Sequence, residues 1–366
     1  MNASKMSLSL SSVHSRLKSL FDEVEIRMTT EEKRAEEELE TQFARVEVIL
    51  DKTFLPSIIP RIKYALQSRL DLATRLEVIR APCDVSTSPQ QKLEAWEDLK
   101  VLSFSRAAAT SLSLVIVSLQ MRIMLNVLSR QLYLENALHD TLGDVGLRTL
   151  SFEVQETFLG LVEKGFALAG VGKLVLAVKQ VVRSKVAGIQ LSKSLSAAEL
   201  QELLEAIRDD FLPTIIRGNL GAGEDRPSLE HSLFPLFPHD NLIVKQIMTR
   251  ARTARNNCEC DGTPVHLHDL HPEHRKLVQM VQEVRETVQS QRFRETITVA
   301  LNKAWEEMTV KAVKGLYGDS QDRSVAFAKL IPAMSNLSGE LLADPGKLWS
   351  AVAECQVVQS FTREMW

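Results

Sequence analysis

Apolar residues recur at three- and four-residue steps along most of the chain, which is the signature of helices that bury one face. Leu10, Val13, Leu17, Leu20, Phe21 and Val24 give a first amphipathic pattern over residues 7–28. It reads as a helix that packs on this protein or a partner; a helix lying in a membrane interface is the sharper reading, weakened by charges of both signs on the polar face. Thr29–Glu40 is a charge run, the mark of a solvated helix or spacer. The apolar period returns at Phe43, Val46, Ile49 and Leu50. Pro56 and Pro60 predict a short break, after which Ile62, Leu66, Leu70 and Leu76 resume the pattern.

A loop over residues 81–91 ends in a strong helix start. Ser88 is a natural N-cap, Pro89 fits the first turn and Gln91 closes a capping box. The predicted helix runs from Pro89 to Leu138. Within it Ala107–Met121 carries no charge, yet the stretch is short for a membrane span, is flanked by Arg106 and Arg122 and is dotted with Ser, Thr and Gln. A helix apolar nearly all round is then the buried centre of a bundle.

Gly143 and Gly146 mark a turn, and one helix is expected over residues 152–186. Ser196 and Glu199 form a second capping box, opening a helix to Asp210. Residues 211–240, rich in Pro, Gly and Asp, read as a long surface connection. Further helices are expected at 241–256, 273–290, 291–315 and 323–338. The last is predicted from Asp344, as cap, to Phe361. The elements make an all-α fold, a single elongated helical bundle.

Composition supports this: only three tyrosines and 15 glycines in 366 residues leave little for the turns and aromatic alternation of many short strands. A net charge of −3 gives no broad basic field for nucleic acid. Four scattered cysteines, Cys83, Cys258, Cys260 and Cys355, fit a reducing compartment. None of the common nucleotide-binding, hydrolase or metalloprotease motifs occurs, and no cofactor is implied. One cluster needs weighing: Cys258, Cys260, His266, His268, His271 and His274. Thiolates and imidazoles this close could ligate zinc, but the C-x-C spacing is tighter than usual and the segment reads as a polar loop. A zinc hydrolase built on it would also lack a placed general base.

The segment Lys92–Ala137 carries a resemblance. Lys92, Leu93, Trp96, Leu99, Lys100, Ser103, Phe104 and Arg106 match the pattern K-L-x-x-W-x-x-L-K-[IV]-[IL]-S-F-[ST]-R of the peroxin-3 family. Arg122, Asn126, Tyr133, Leu134 and Glu135 match its continuation. Residues 284–293 and 327–334 are weaker echoes, the first with Arg292 in place of the family's Asp. The resemblance extends over Leu50–Phe361.

It implies an elongated, twisted bundle around a long central helix. It also implies no enzymatic activity but a docking role in peroxisome biogenesis, at the peroxisomal membrane and facing the cytosol. The implied partner is the N-terminal amphipathic helix of the chaperone peroxin-19, carrying new peroxisomal membrane proteins; inheritance or autophagy adaptors are further partners of the family. Lys92, Trp96 and Leu99 share one helix face. By resemblance, Trp96 and Leu99 form the floor of the docking groove, Lys92 its rim, and Lys329 packs beside Trp96, with residues around Leu76–Ile79 completing it. The family begins with a membrane span of about 20 residues. Here residues 1–28 are divergent and stand in its place, 29–48 are a charged helical spacer, and 49–366 are the docking domain. The alternative is a helical scaffold or adaptor that keeps the fold without the anchored receptor role.

Overall fold

A computed structural model describes Glu37 and residues 40–82, 88–142, 150–162, 165–166, 170–216, 272–318 and 323–365. The chain divides into two units, Met1–Ile49 and Leu50–Trp366. Residues 40–49 of the first are helical. The second begins with a π-helical turn, Leu50–Phe54, and continues with α1 (Leu55–Arg69), α2 (Ala73–Arg80), α3 (Pro89–Leu142), α4 (Phe152–Val162) and α5 (Val171–Val186). Strand β1 (Ser194–Leu195) precedes α6 (Ala197–Ile216). Then come α7 (Pro272–Gln289), α8 (Gln291–Tyr317), β2 (Val325–Ala326), α9 (Phe327–Ala343), α10 (Gly346–Ala353) and α11 (Gln356–Glu364). The expected helices at 7–28 and 241–256 and the cluster of Cys258, Cys260, His266 and His268 lie outside the described residues.

The all-α expectation holds, and α3 is its axis. Ala107–Met121 is buried throughout, and α1, α2, α4, α5 and α7–α11 all pack on α3. By length and composition this helix could cross a membrane, but its most apolar window is wholly buried within the bundle. That burial accounts for its apolarity. Its small polar side chains help it serve several neighbours. The Thr110 and Ser338 hydroxyls lie 2.7 Å apart, joining α3 to α9. Ser111 donates to the Ala304 carbonyl of α8 at 3.1 Å, and the Trp349 indole donates to the Leu114 carbonyl at 3.3 Å.

Several boundaries differ from the sequence reading: α6 runs on to Ile216, past the expected end at Asp210 and into the expected connection, and α9 covers Phe327–Ala343 after β2 rather than 323–338. The prolines at 56 and 60 do not break the chain: both lie in α1. Pro56 directly follows the π-helical turn Leu50–Phe54 and Pro60 lies inside α1, so each forgoes an intrahelical bond without ending the helix. The helix expected over 152–186 is interrupted, with π-type turns at 165–166 and 170 around Gly165 and Gly170, poor helix formers. The last helix is two: Cys355 adopts an extended conformation, and α11 starts after it. The break brings Phe361 to 5.7 Å from the Phe293 ring of α8, and there Arg292 donates to both Glu364 oxygens at 2.8 and 3.1 Å.

One short pairing was not anticipated. β1 and β2 run antiparallel, Ser194 opposite Ala326 and Leu195 opposite Val325. Two residues give no legible alternation, yet the pairing joins the loop after α5 to the start of α9.

Candidate functional site

The N-terminal end of α3 is built from its capping box. The Ser88 N–H donates to Gln91 Oε1 at 2.8 Å, and the Gln91 N–H donates to Ser88 Oγ at 3.2 Å. These bonds satisfy two backbone donors that the first turn leaves without intrahelical partners. Beyond them Lys92, Trp96 and Lys100 follow at four-residue steps and so form one stripe.

Both lysines of the stripe are tied down. The Lys92 ammonium donates to the Ala81 carbonyl at the end of α2. Lys100, fully buried, donates to the Ile189 carbonyl at 2.9 Å and sits 5.8 Å from the centroid of the Phe327 ring. Phe327, the first residue of α9, stacks on Phe104 with centroids 5.5 Å apart and planes 5° from parallel. Trp96 therefore lies between a neighbour fastened to α2 and a neighbour fastened to the loop after α5 and to α9. It remains only half-buried, and no hydrogen-bond partner for its indole occurs among the described residues. Leu93, beside it on the helix, is 52% exposed. Leu99 lies beneath, 4% exposed.

The structure thus places the predicted residues as follows. Trp96 presents a half-open aromatic surface, Leu99 belongs to the layer under it, and Lys92 is committed to a backbone carbonyl. Lys329 is exposed on the first turn of α9, two residues after Phe327. Helix α2 packs on α3 and has no buried side chain; Leu76, Val78 and Ile79 are half-buried. An eight-residue helix without a buried anchor gains little from burial. It is held instead by polar bonds. Arg75 pairs with Asp98 of α3 at 3.1 Å, and Arg183 of α5 reaches the same carboxylate at 3.4 Å. Ahead of α2, the Asp71 carboxylate accepts from the Thr74 hydroxyl at 2.5 Å and the Ala73 N–H at 2.9 Å. These bonds, the Thr74 hydroxyl foremost, hold its pKa below the ordinary carboxylate value.

Farther along α3, Arg106 is half-buried, and burial pulls its pKa down, opposed by the Asp71 charge. The role of Lys100 was not read from the sequence. Its signal was a charged residue one turn after Trp96 on a stripe that then becomes wholly apolar.

Cavities also lie elsewhere among the described residues. One of 610 Å³ is lined by Phe54, Ile58, Arg61, Met121, Phe152 and Leu159. One of 470 Å³ lies between α6 and α8, over Trp305, Thr309 and Tyr317. Neither includes a predicted site residue. No group of three or more His, Cys, Asp or Glu side chains suited to a metal occurs among the described residues.

These features define a class: an all-α bundle around a buried central helix, with a partly uncovered apolar surface at one end of that helix. The Peroxin-3 family model matches residues 64–146, which span α2 and the whole of α3. The chain is similar to peroxisomal biogenesis factor 3 of Rattus norvegicus, at 24% identity over 76% of this chain and 70% of the relative. It is similar to that of Bos taurus at 30% identity over 42% of this chain and 39% of the relative. Peroxisome biogenesis protein 3-1 of Arabidopsis thaliana is 24% identical over 85% of this chain and 76% of the relative. These matches support the peroxin-3 family for this chain. That similarity supports a role in peroxisome biogenesis and a peroxisomal location.

Proposed function

We propose that this chain is a docking receptor at the peroxisomal membrane, with its bundle facing the cytosol, for the chaperone peroxin-19 carrying newly made membrane proteins. The observation that carries the reading is Trp96: an aromatic residue left half-open between two tethered lysines, on the segment most like the family. An amphipathic helix laid across this end would cover Trp96, Leu93 and the half-buried residues of α2, the helix-in-groove mode of recognition. Lys329 offers its alkyl stem and a charge for acidic residues of the incoming helix. Lys92 acts mainly by holding the end of α2 against α3. In this reading residues 49–366 are the docking domain, and binding rather than catalysis supports cargo targeting and insertion.

The test is a titration of the full chain with a peptide of the N-terminal amphipathic helix of peroxin-19. Trp96→Ala is expected to weaken binding by about 2 kcal/mol, the scale of an interface anchor, while the protein stays folded by circular dichroism. A folded wild-type chain that does not bind the peptide would leave the scaffold reading in its place.

A further inference from the structure

A lysine with no exposed surface is costly unless its ammonium is fully hydrogen-bonded, and Lys100 is such a residue. Its Nζ donates to the Ile189 carbonyl at 2.9 Å, lies 3.5 Å from the Ala187 carbonyl and pairs with Glu97 at 2.5 Å. The two carbonyls follow the end of α5, where the last turn leaves acceptors without intrahelical donors and the helix dipole favours a cation. The same loop is hydrogen-bonded to the start of α9. The Leu191 carbonyl accepts the Ala328 N–H at 3.1 Å, and the Lys193 carbonyl accepts the Phe327 N–H at 2.8 Å. One step on, β1 pairs with β2. The Phe327 ring closes the circuit by lying over the Lys100 ammonium.

One buried cation therefore fixes the loop after α5 to α3, and that loop fixes the first turn of α9, which carries Lys329. We infer that Lys100 is the positioning residue of the docking face: it sets the placement of Lys329 on α9 relative to Trp96 on α3. The inference rests on the docking reading. Nothing needs to touch Lys100 for it to act. Methionine at this position keeps the apolar stem and removes every donor, which releases the loop and, with it, the start of α9.

The experiment uses the full chain and the same peroxin-19 peptide. Affinity is measured for wild type, Lys100→Met, Lys329→Ala and the double variant, with backbone amide exchange followed over residues 187–195 and 325–329. Arg130→Met, at the opposite end of α3, is the control for general destabilisation. Lys100→Met is expected to weaken the peptide about tenfold and to shrink the effect of Lys329→Ala, the non-additivity of coupled positions. Exchange should rise in both segments. Arg130→Met should leave affinity within about twofold, as for a site distant from the peptide. Should the methionine variant not fold, Lys100→Gln, which keeps an amide donor on a shorter stem, is expected to give a smaller loss in the same direction. Unchanged affinity in the lysine variants, or an equal loss in Arg130→Met, overturns the inference. If wild type itself does not bind while Lys100→Met still raises exchange, the docking reading fails and takes the positioning role with it, leaving only the structural tie.

Discussion

The middle of α3 and its N-terminal end use the same materials to different effect. From Ala107 to Leu128 every side chain is buried, and the tryptophans that pack around the central helices are finished parts of the core. Trp305 is 1% exposed and donates to the Leu204 carbonyl at 3.1 Å; Trp349 is 6% exposed and donates to the Leu114 carbonyl. At the N-terminal end Trp96 is half-buried and Leu93 exposed, and the neighbouring α2 buries nothing fully. A core tryptophan stabilises the fold because its area is covered and its N–H satisfied. One left half-covered, in a place fastened by buried polar bonds, has its remaining surface available for another molecule.

The sharpest way to break this comparison is to truncate both kinds of tryptophan. Trp305→Ala should cost about 3–5 kcal/mol of stability, as for large core truncations, read as a lowered urea midpoint. Trp96→Ala should cost less, about 2 kcal/mol of stability, because its ring is only partly covered, and should also weaken peptide binding, which Trp305→Ala should not do in the folded protein. Equal losses of stability would show that Trp96 is simply core. The two capping boxes sharpen the contrast. Ser88→Ala and Ser196→Ala should each cost about 1 kcal/mol in chemical denaturation. Only Ser88→Ala should also weaken the peptide, because it frays the turn that leads to Trp96.

The smallest effect concerns acid. Glu364 is held below its ordinary value of 4.5, first by the Arg292 hydrogen bond and then by the Ser360 hydroxyl. A carboxylate depressed in the folded state contributes stability that is complete above its unfolded pKa and is lost as the pH falls through the folded one. Glu364→Gln should therefore destabilise slightly at neutral pH and flatten the decline below about pH 4.5, leaving peptide affinity at neutral pH unchanged. Thermal midpoints across an acid series check the first part, and a change in affinity would contradict the assigned division between the docking end of α3 and the rest of the bundle.

Much of this architecture was legible because it depends on local chemistry. Ser88 with Gln91, and Ser196 with Glu199, announce helix starts whose bonds the structure contains. The charge-free stretch of α3 announces a buried axis. The helix breaks were misread where context outweighs propensity: Pro60 is tolerated inside α1, and Cys355 gives no sequence signal for the bend that seats α11 on α8. The placement of Trp96 and Lys329 rested on resemblance. The tie through Lys100 showed only as a charge on a stripe that turns apolar; its partners could not be read, since they are backbone carbonyls as far as 89 positions away, which leave no mark on side-chain pattern.

The central claim is that an incoming helix covers the N-terminal end of α3. A photoreactive amino acid at position 93, beside Trp96, tests this directly when compared with one at position 310, an exposed valine on α8. The account predicts light-dependent crosslinking of the peroxin-19 peptide at position 93 and none at 310. Crosslinking at 310 alone, or at neither position while the peptide is bound, would contradict it.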